Sequence, residues 1–124
     1  MQGATTRDFM RLVVWQKSHQ LVLWIYQESA AFPKSQLYSL TNQMQRAAVS
    51  IPANIAEGCG RRGTVELARF MTIAQGSAAE LAYYLILARD LGFLPIEIAD
   101  RLSARINEIN RMLTAYIGKL KANG

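Results

Sequence analysis

The sequence predicts an all-α chain folded as one antiparallel, up-down-up-down four-helix bundle, and three observations carry that expectation. Four long segments repeat apolar residues at spacings of three and four, the period of one helix face. Short stretches rich in glycine or proline separate them, and short connections make successive helices antiparallel neighbours. No segment alternates apolar and polar residues as a half-buried strand does. At 124 residues the chain reads as a single domain over 1–124, long enough to close a core without metal or disulfide.

The first helix is expected over about residues 9–31, with Trp15, Leu21, Val22, Ile25 and Tyr26 on one side. Phe32-Pro33-Lys34-Ser35 ends it, because a proline pushes the residue before it out of the helical region. The second is expected over about residues 39–57, with Ser39 or Thr41 as its N-cap. Gly58, Gly60 and Gly63 should end it, since glycine takes the left-handed conformation in which helices stop. The third, over about residues 64–91, has Thr64 as its cap and Glu66 in a first turn that favours negative charge; Gly92 is its stop. The fourth follows Pro95 and spans about residues 95–120 through Ile98, Leu102, Ile106, Ile109, Leu113, Tyr116 and Leu120. Its outer face alternates charge, with Glu97 four residues ahead of Arg101 and Glu108 between Arg105 and Arg111, as on an ordinary solvated helix.

The second helix carries two interleaved stripes. Leu40, Met44, Ala47, Ile51 and Ile55 form an apolar face, and Gln43, Arg46, Ser50, Asn54 and Glu57 form a polar one. Pro52 sits inside both, where it removes a backbone hydrogen bond at a cost of roughly 3 kcal/mol, so the second helix should bend there. The third helix is apolar around most of its circumference, through residues such as Leu67, Phe70, Met71, Ile73, Leu81 and Leu85. A helix of that kind is buried on nearly every side, and a four-helix bundle leaves one side open. Part of that helix is therefore expected to meet another subunit.

A hairpin turning near Arg61 and Arg62 would bring together residues of the second and third helices whose numbers sum to about 123. Arg46 would then face Ser77 within reach of Glu80, and Glu57 would lie near Arg69. Gln75, Gly76 and Ser77 would meet Ala47 and Ala48, small residues that allow close approach. One reading makes these polar residues a register-fixing seam in which charges have mates. The other makes them a polar groove that accepts a phosphate or a partner's backbone.

Composition narrows the function. Hydrophobic residues make up 51% and charged residues 19%, against roughly 25% in ordinary soluble domains, which suits a surface partly hidden by association. The longest apolar runs, Leu21 to Tyr26 and Leu81 to Ala88, fall far short of the roughly 20 residues a membrane span needs. The opening MQGATTRDFMRL places charge where a secretory signal needs its apolar segment, so a soluble cytoplasmic protein is expected.

Cys59 and His19 are the only residues of their kinds, and no carboxylates cluster. No nucleophile–base pair or metal set can be assembled, so no enzyme activity, metal or cofactor is expected. Gly58 to Gly63 matches GxGxxG literally, but that motif needs a strand before it and a βαβ unit around it.

Net charge is +5; residues 1–63 hold seven basic and three acidic side chains, and residues 64–124 hold seven and six. Arg61, Arg62, Lys17, Arg11 and Arg7 are the basic groups without evident mates, and arginines on helix-end loops suit phosphate contact. No aromatic residues are interleaved with them for stacking bases, so such contact would be to backbone and indifferent to sequence.

Trp15-Gln16-Lys17, Phe32-Pro33, Leu40-Thr41, Gln43, Arg46-Ala47-Ala48, Ser50-Ile51-Pro52, Asn54 to Gly58, Ala74 to Ser77 and Glu80-Leu81 together resemble a bacterial four-helix-bundle family. Its members include proteins encoded within intervening sequences of 23S ribosomal RNA genes. The resemblance covers about residues 9–120. It implies a bundle that assembles as a homopentameric ring, and kinship with the accessory protein of diversity-generating retroelements, which binds nucleic acid and a reverse transcriptase through basic surfaces. The functional expectation is thus a non-enzymatic homo-oligomer, a pentamer by resemblance, binding RNA or DNA weakly through phosphates. The alternative is a scaffold or adaptor whose partner is another protein, such as a polymerase.

Overall fold

In the computed structural model, which describes residues 8–123, helix α1 spans Val13–Ser29, α2 Asn42–Cys59, α3 Gly63–Asp90 and α4 Ile96–Asn123. Each helix packs on the next in the chain and α4 returns to α1, so the four stand around a square with α1 and α3 at opposite corners. Among the described residues there is no strand. The apolar stripes read from the sequence meet in the middle. Leu21, Ile25, Met44, Ile51, Ile55, Met71, Leu81, Leu85, Ile106, Ile109 and Leu113 are sealed from solvent. Tyr26 departs from its stripe and stays 47% exposed.

The helix ends differ from expectation in instructive ways. A 3-10 turn over Phe9–Arg11 precedes α1, and the extended Leu12 breaks the chain between them. A second 3-10 turn at Lys34–Gln36 and a π-helical turn at Leu37–Thr41 lead straight into α2. Neither Ser39 nor Thr41 caps α2: Ser39 Oγ bonds the Gln36 carbonyl and side chain, and Thr41 is itself helical. The winding is already under way when α2 begins, so its first N–H groups need no side-chain acceptor. Thr64 likewise does not cap α3, which starts one residue earlier with Arg62 at the cap position.

Gly58 does not stop α2. The helix runs on to Cys59, and Gly58 is buried within it because α3 presses there. A Cβ at that position would lie 2.9 Å from Phe70 Cβ and 3.0 Å from Leu67 Cδ1. Gly60 keeps a negative φ of −83°, whereas Gly63 has φ +81° and opens α3. The left-handed step thus belongs to the entry of α3 and not to the exit of α2.

Gly92 does end α3, with φ +80°. Its N–H donates to the Arg89 carbonyl at 3.0 Å and Phe93 N–H to the Ala88 carbonyl at 2.9 Å, the paired bonds of a Schellman cap. Pro95 sits just ahead of α4, its carbonyl accepting from Ala99 N–H at 2.9 Å. Pro52 is buried inside α2, which stays helical on both sides of it. Among the described residues no helix is long and apolar enough to cross a membrane.

Candidate nucleic-acid interface

The turn between α2 and α3 holds the most organised group of cations. Arg61 reaches back one turn to Glu57, with Nη2 and Nε each 3.0 Å from Oε2. Arg69 donates to both carboxylate oxygens of Glu66, at 3.1 and 3.2 Å. Both guanidiniums lie over the Phe70 ring, 5.1 and 4.5 Å from its centroid. A buried phenyl group thus lies within cation–π reach of both arginines and helps to position them. The hydrogen bonds from Arg69 hold the Glu66 carboxyl below the usual carboxylate range, and the same bonds raise Arg69. Arg62 is exposed and makes no ion pair among the described residues.

Three other expected phosphate ligands stand differently. Arg11 pairs with Asp8 at 3.2 Å, and Lys17 pairs with Glu108 of α4 at 3.1 Å. With Arg61 on Glu57, three cations read from the sequence as unmated do have mates; the carboxylates come from helix neighbours or from α4 across the bundle. Arg7 lies outside the described residues. The structure therefore brings Arg61 and Arg62 together and leaves Lys17 and Arg11 on α1 and the turn before it.

Only the middle of the α2 polar stripe meets α3, and it does so one turn out of the expected register. Ser50 and not Arg46 meets Ser77, the two hydroxyls 2.7 Å apart. Asn54 Nδ2 donates to Ser50 Oγ at 2.9 Å and to the Ser50 carbonyl at 2.8 Å, completing a small hydroxyl–amide cluster on the seam. Glu57 falls beside Phe70 through Arg61 and does not pair with Arg69. Glu80 accepts from Tyr84 at 3.1 Å, and Arg46, which like Gln43 is exposed, makes no ion pair among the described residues. Loss of solvent about the ring, then the bond to Glu80, raises Tyr84. Gln75 turns to α4 and donates to Thr114 at 2.8 Å, and a Cβ on Gly76 would meet nothing within 4 Å. The close approach expected at Gly76 occurs instead at Gly58. The shift follows from α2 continuing two residues past Glu57, which moves the centre of the hairpin toward α3.

Two features escaped sequence reasoning. On α3, Val65, Thr72, Gly76, Ala79, Tyr83 and Ile86 share one outward stripe at spacings of three and four; all are exposed and Arg69 is the single charge between them. It opens onto an apolar groove of about 490 Å³ shared with Leu120 and Lys121 of α4. The sequence signal was the near-complete apolarity of α3, which did not say which side remained open.

The second is a groove between α1 and α4. Arg105 lies over the Trp24 ring at 5.0 Å, and this stacked pair lines two adjoining cavities of about 300 and 180 Å³. Arg101 lines the larger, and Gln16, Gln20 and the Lys17–Glu108 pair line the smaller. The signal lay in Gln16, Gln20, Trp24 and Gln27, a helical stripe of amides with one indole. It was obscured by the assumption that Glu97 and Glu108 neutralise Arg101 and Arg105.

Among the described residues no three His, Cys, Asp or Glu side chains gather as a metal site would require. The model of the 23S rRNA-intervening sequence protein family matches residues 10–115. A protein of unknown function from the S23 ribosomal protein family of Bacteroides thetaiotaomicron VPI-5482 has a crystal structure that is similar over 85% of this chain and 98% of that one. The TM-score is 0.79 and the sequence identity 25%. No curated protein matches the chain.

Proposed function

Because this chain belongs to the 23S rRNA-intervening sequence protein family, we propose that it is a non-enzymatic homo-oligomer, a pentamer by family resemblance, that binds RNA or DNA weakly through phosphates. The observation that carries the proposal is the outward stripe of α3. Six turns of a long helix present valine, threonine, glycine, alanine, tyrosine and isoleucine to solvent where a monomer would place lysine and glutamate. Small residues at its centre, Gly76 and Ala79, suit close packing of a second copy.

Assembly then supplies what one chain lacks in charge. Five copies at +5 carry about +25, and rotational symmetry repeats Arg61 and Arg62 around the ring. With Arg61 half-neutralised by Glu57, Arg62 is the stronger phosphate ligand and Arg61 a positioned helper. Contacts of this kind hold the backbone and carry no base information.

Mass in solution, the ratio of absorbance at 260 and 280 nm, and RNA retention at two salt concentrations test the proposal together. A multimer whose RNA is released between about 50 and 300 mM salt agrees with counterion release. A monomer free of nucleic acid, or retention unchanged by salt, refutes it. The α3 stripe equally suits a protein partner. A nuclease-resistant complex with another protein, formed while RNA is ignored, establishes the adaptor reading in its place.

A further inference from the structure

We infer that the groove between α1 and α4 is a second and different nucleic-acid site, one that takes a single strand and stacks its bases against the Trp24–Arg105 pair. This inference rests on the nucleic-acid reading above but not on the Arg61 and Arg62 turn.

Three observations combine. First, an indole with a guanidinium laid over it forms the wall between two cavities of about 300 and 180 Å³. Bases freed from a duplex stack on aromatic faces and on arginine planes alike, so a strand crossing this wall could place one base on each side. Second, the charge is right. Among the described residues neither Arg101 nor Arg105 forms an ion pair, although both are exposed and lie one turn apart on α4. Glu108, the carboxylate nearest the smaller cavity, is already matched by Lys17 at 3.1 Å. Third, the rest of the lining offers amides. Gln20 and Gln27 face the groove from α1, and a carboxamide can both donate to and accept from a base edge. Glu28, which also lines the larger cavity, would repel a phosphate there and could accept from a base amino group.

A duplex fits this site poorly, because its bases are paired and turned inward while the groove offers its stacking surface inside the cavities.

The test uses Trp15→Phe, which leaves Trp24 as the sole tryptophan, titrated with an unstructured thymidine or uridine oligomer of about a dozen nucleotides at low salt. The expected result is saturable quenching of Trp24 emission with affinity about tenfold lower in Arg105→Ala, and, because Trp24→Ala has no indole left to report, an equal loss in Trp24→Ala read from the anisotropy of a dye-labelled oligomer. Arg101→Ala and Arg105→Ala change exposed residues and should keep the fold, which far-UV circular dichroism checks. Binding with unaltered emission and wild-type affinity in both arginine variants overturns the inference while leaving phosphate contact elsewhere intact. Binding of a duplex but not of a single strand does the same. Quenching by polyglutamate as strong as by the oligomer makes the groove an acidic-peptide site and also overturns it. If neither single strand nor duplex binds at low salt, the proposed function fails and this inference with it.

Discussion

Adding one methyl group at Gly58 should loosen the α2–α3 hairpin, although the same change in most helices is stabilising. The alanine Cβ would stand 2.9 Å from Phe70 Cβ, 3.0 Å from Leu67 Cδ1 and 3.4 Å from Leu67 Cα. Carbon atoms pack best at roughly 3.5–4.0 Å. Leu67 Cδ1 can rotate aside, but Phe70 Cβ and Leu67 Cα move only with the backbone of α3, so the helices must part by about half an ångström or more. Overpacking of this kind costs roughly 1–3 kcal/mol, and the helical preference of alanine over glycine returns about 1 kcal/mol. Taking about 2 kcal/mol for the clash, the net expectation for Gly58→Ala is a loss of about 1 kcal/mol, seen as a melting temperature lower by about 3–6 °C.

Gly118→Ala is the control. It lies inside α4, none of the described residues beyond its own turn of helix comes within 4 Å of its added Cβ, and it should gain about 0.5–1 kcal/mol. Urea and thermal unfolding followed by circular dichroism, at one fixed protein concentration, measure both. A Gly58→Ala protein as stable as wild type, or more so, refutes the claim that this contact sets the helix separation.

Three further changes test other parts of the structure. Thr41→Val removes a hydroxyl whose oxygen is buried without a partner, so the urea midpoint should rise by the equivalent of up to about 1 kcal/mol; a fall would mean the hydroxyl is satisfied. Ser77→Ala should cost about 1 kcal/mol and Ser50→Ala more, because the Ser50 hydroxyl also accepts from Asn54; the double change should cost little more than Ser50→Ala alone, since the bond between the two hydroxyls is lost only once, and fully additive losses would argue against it. Glu66 is held below the ordinary carboxylate range by Arg69, so its contribution is present above that range and disappears as acid protonates the folded state. Glu66→Gln should therefore flatten part of the acid limb of the stability profile, and superimposable limbs would contradict the pairing.

The helices were legible because burial imposes its period on side chains. Met44, Ile51 and Ile55 on α2, and Leu102, Ile106, Ile109 and Leu113 on α4, all sit in the core where their spacing put them. Helix ends were less legible, since glycine serves two purposes that look alike in sequence. Gly92 makes a backbone turn, whereas Gly58 makes room for another helix. Register was lost for the same reason: treating Gly58 as a stop placed Arg46, and not Ser50, across from Ser77. The candidate site was half legible. That Arg61 and Arg62 share a turn follows from adjacency, but Lys17 meeting Glu108 depends on α1 lying beside α4, which no local pattern states. The Trp24 groove needed the same long-range fact.

Phe70 has a consequence for how the molecule meets an anion. Long cationic side chains on a free surface must give up many rotamers when they grip a ligand, and that entropy subtracts from affinity. Arg61 and Arg69 have surrendered part of this freedom already, each paired to a carboxylate and within reach of the same ring before any partner arrives. An encounter there can be feeble and brief yet still oriented, because the direction of approach is written into the folded protein and not found afresh at each collision.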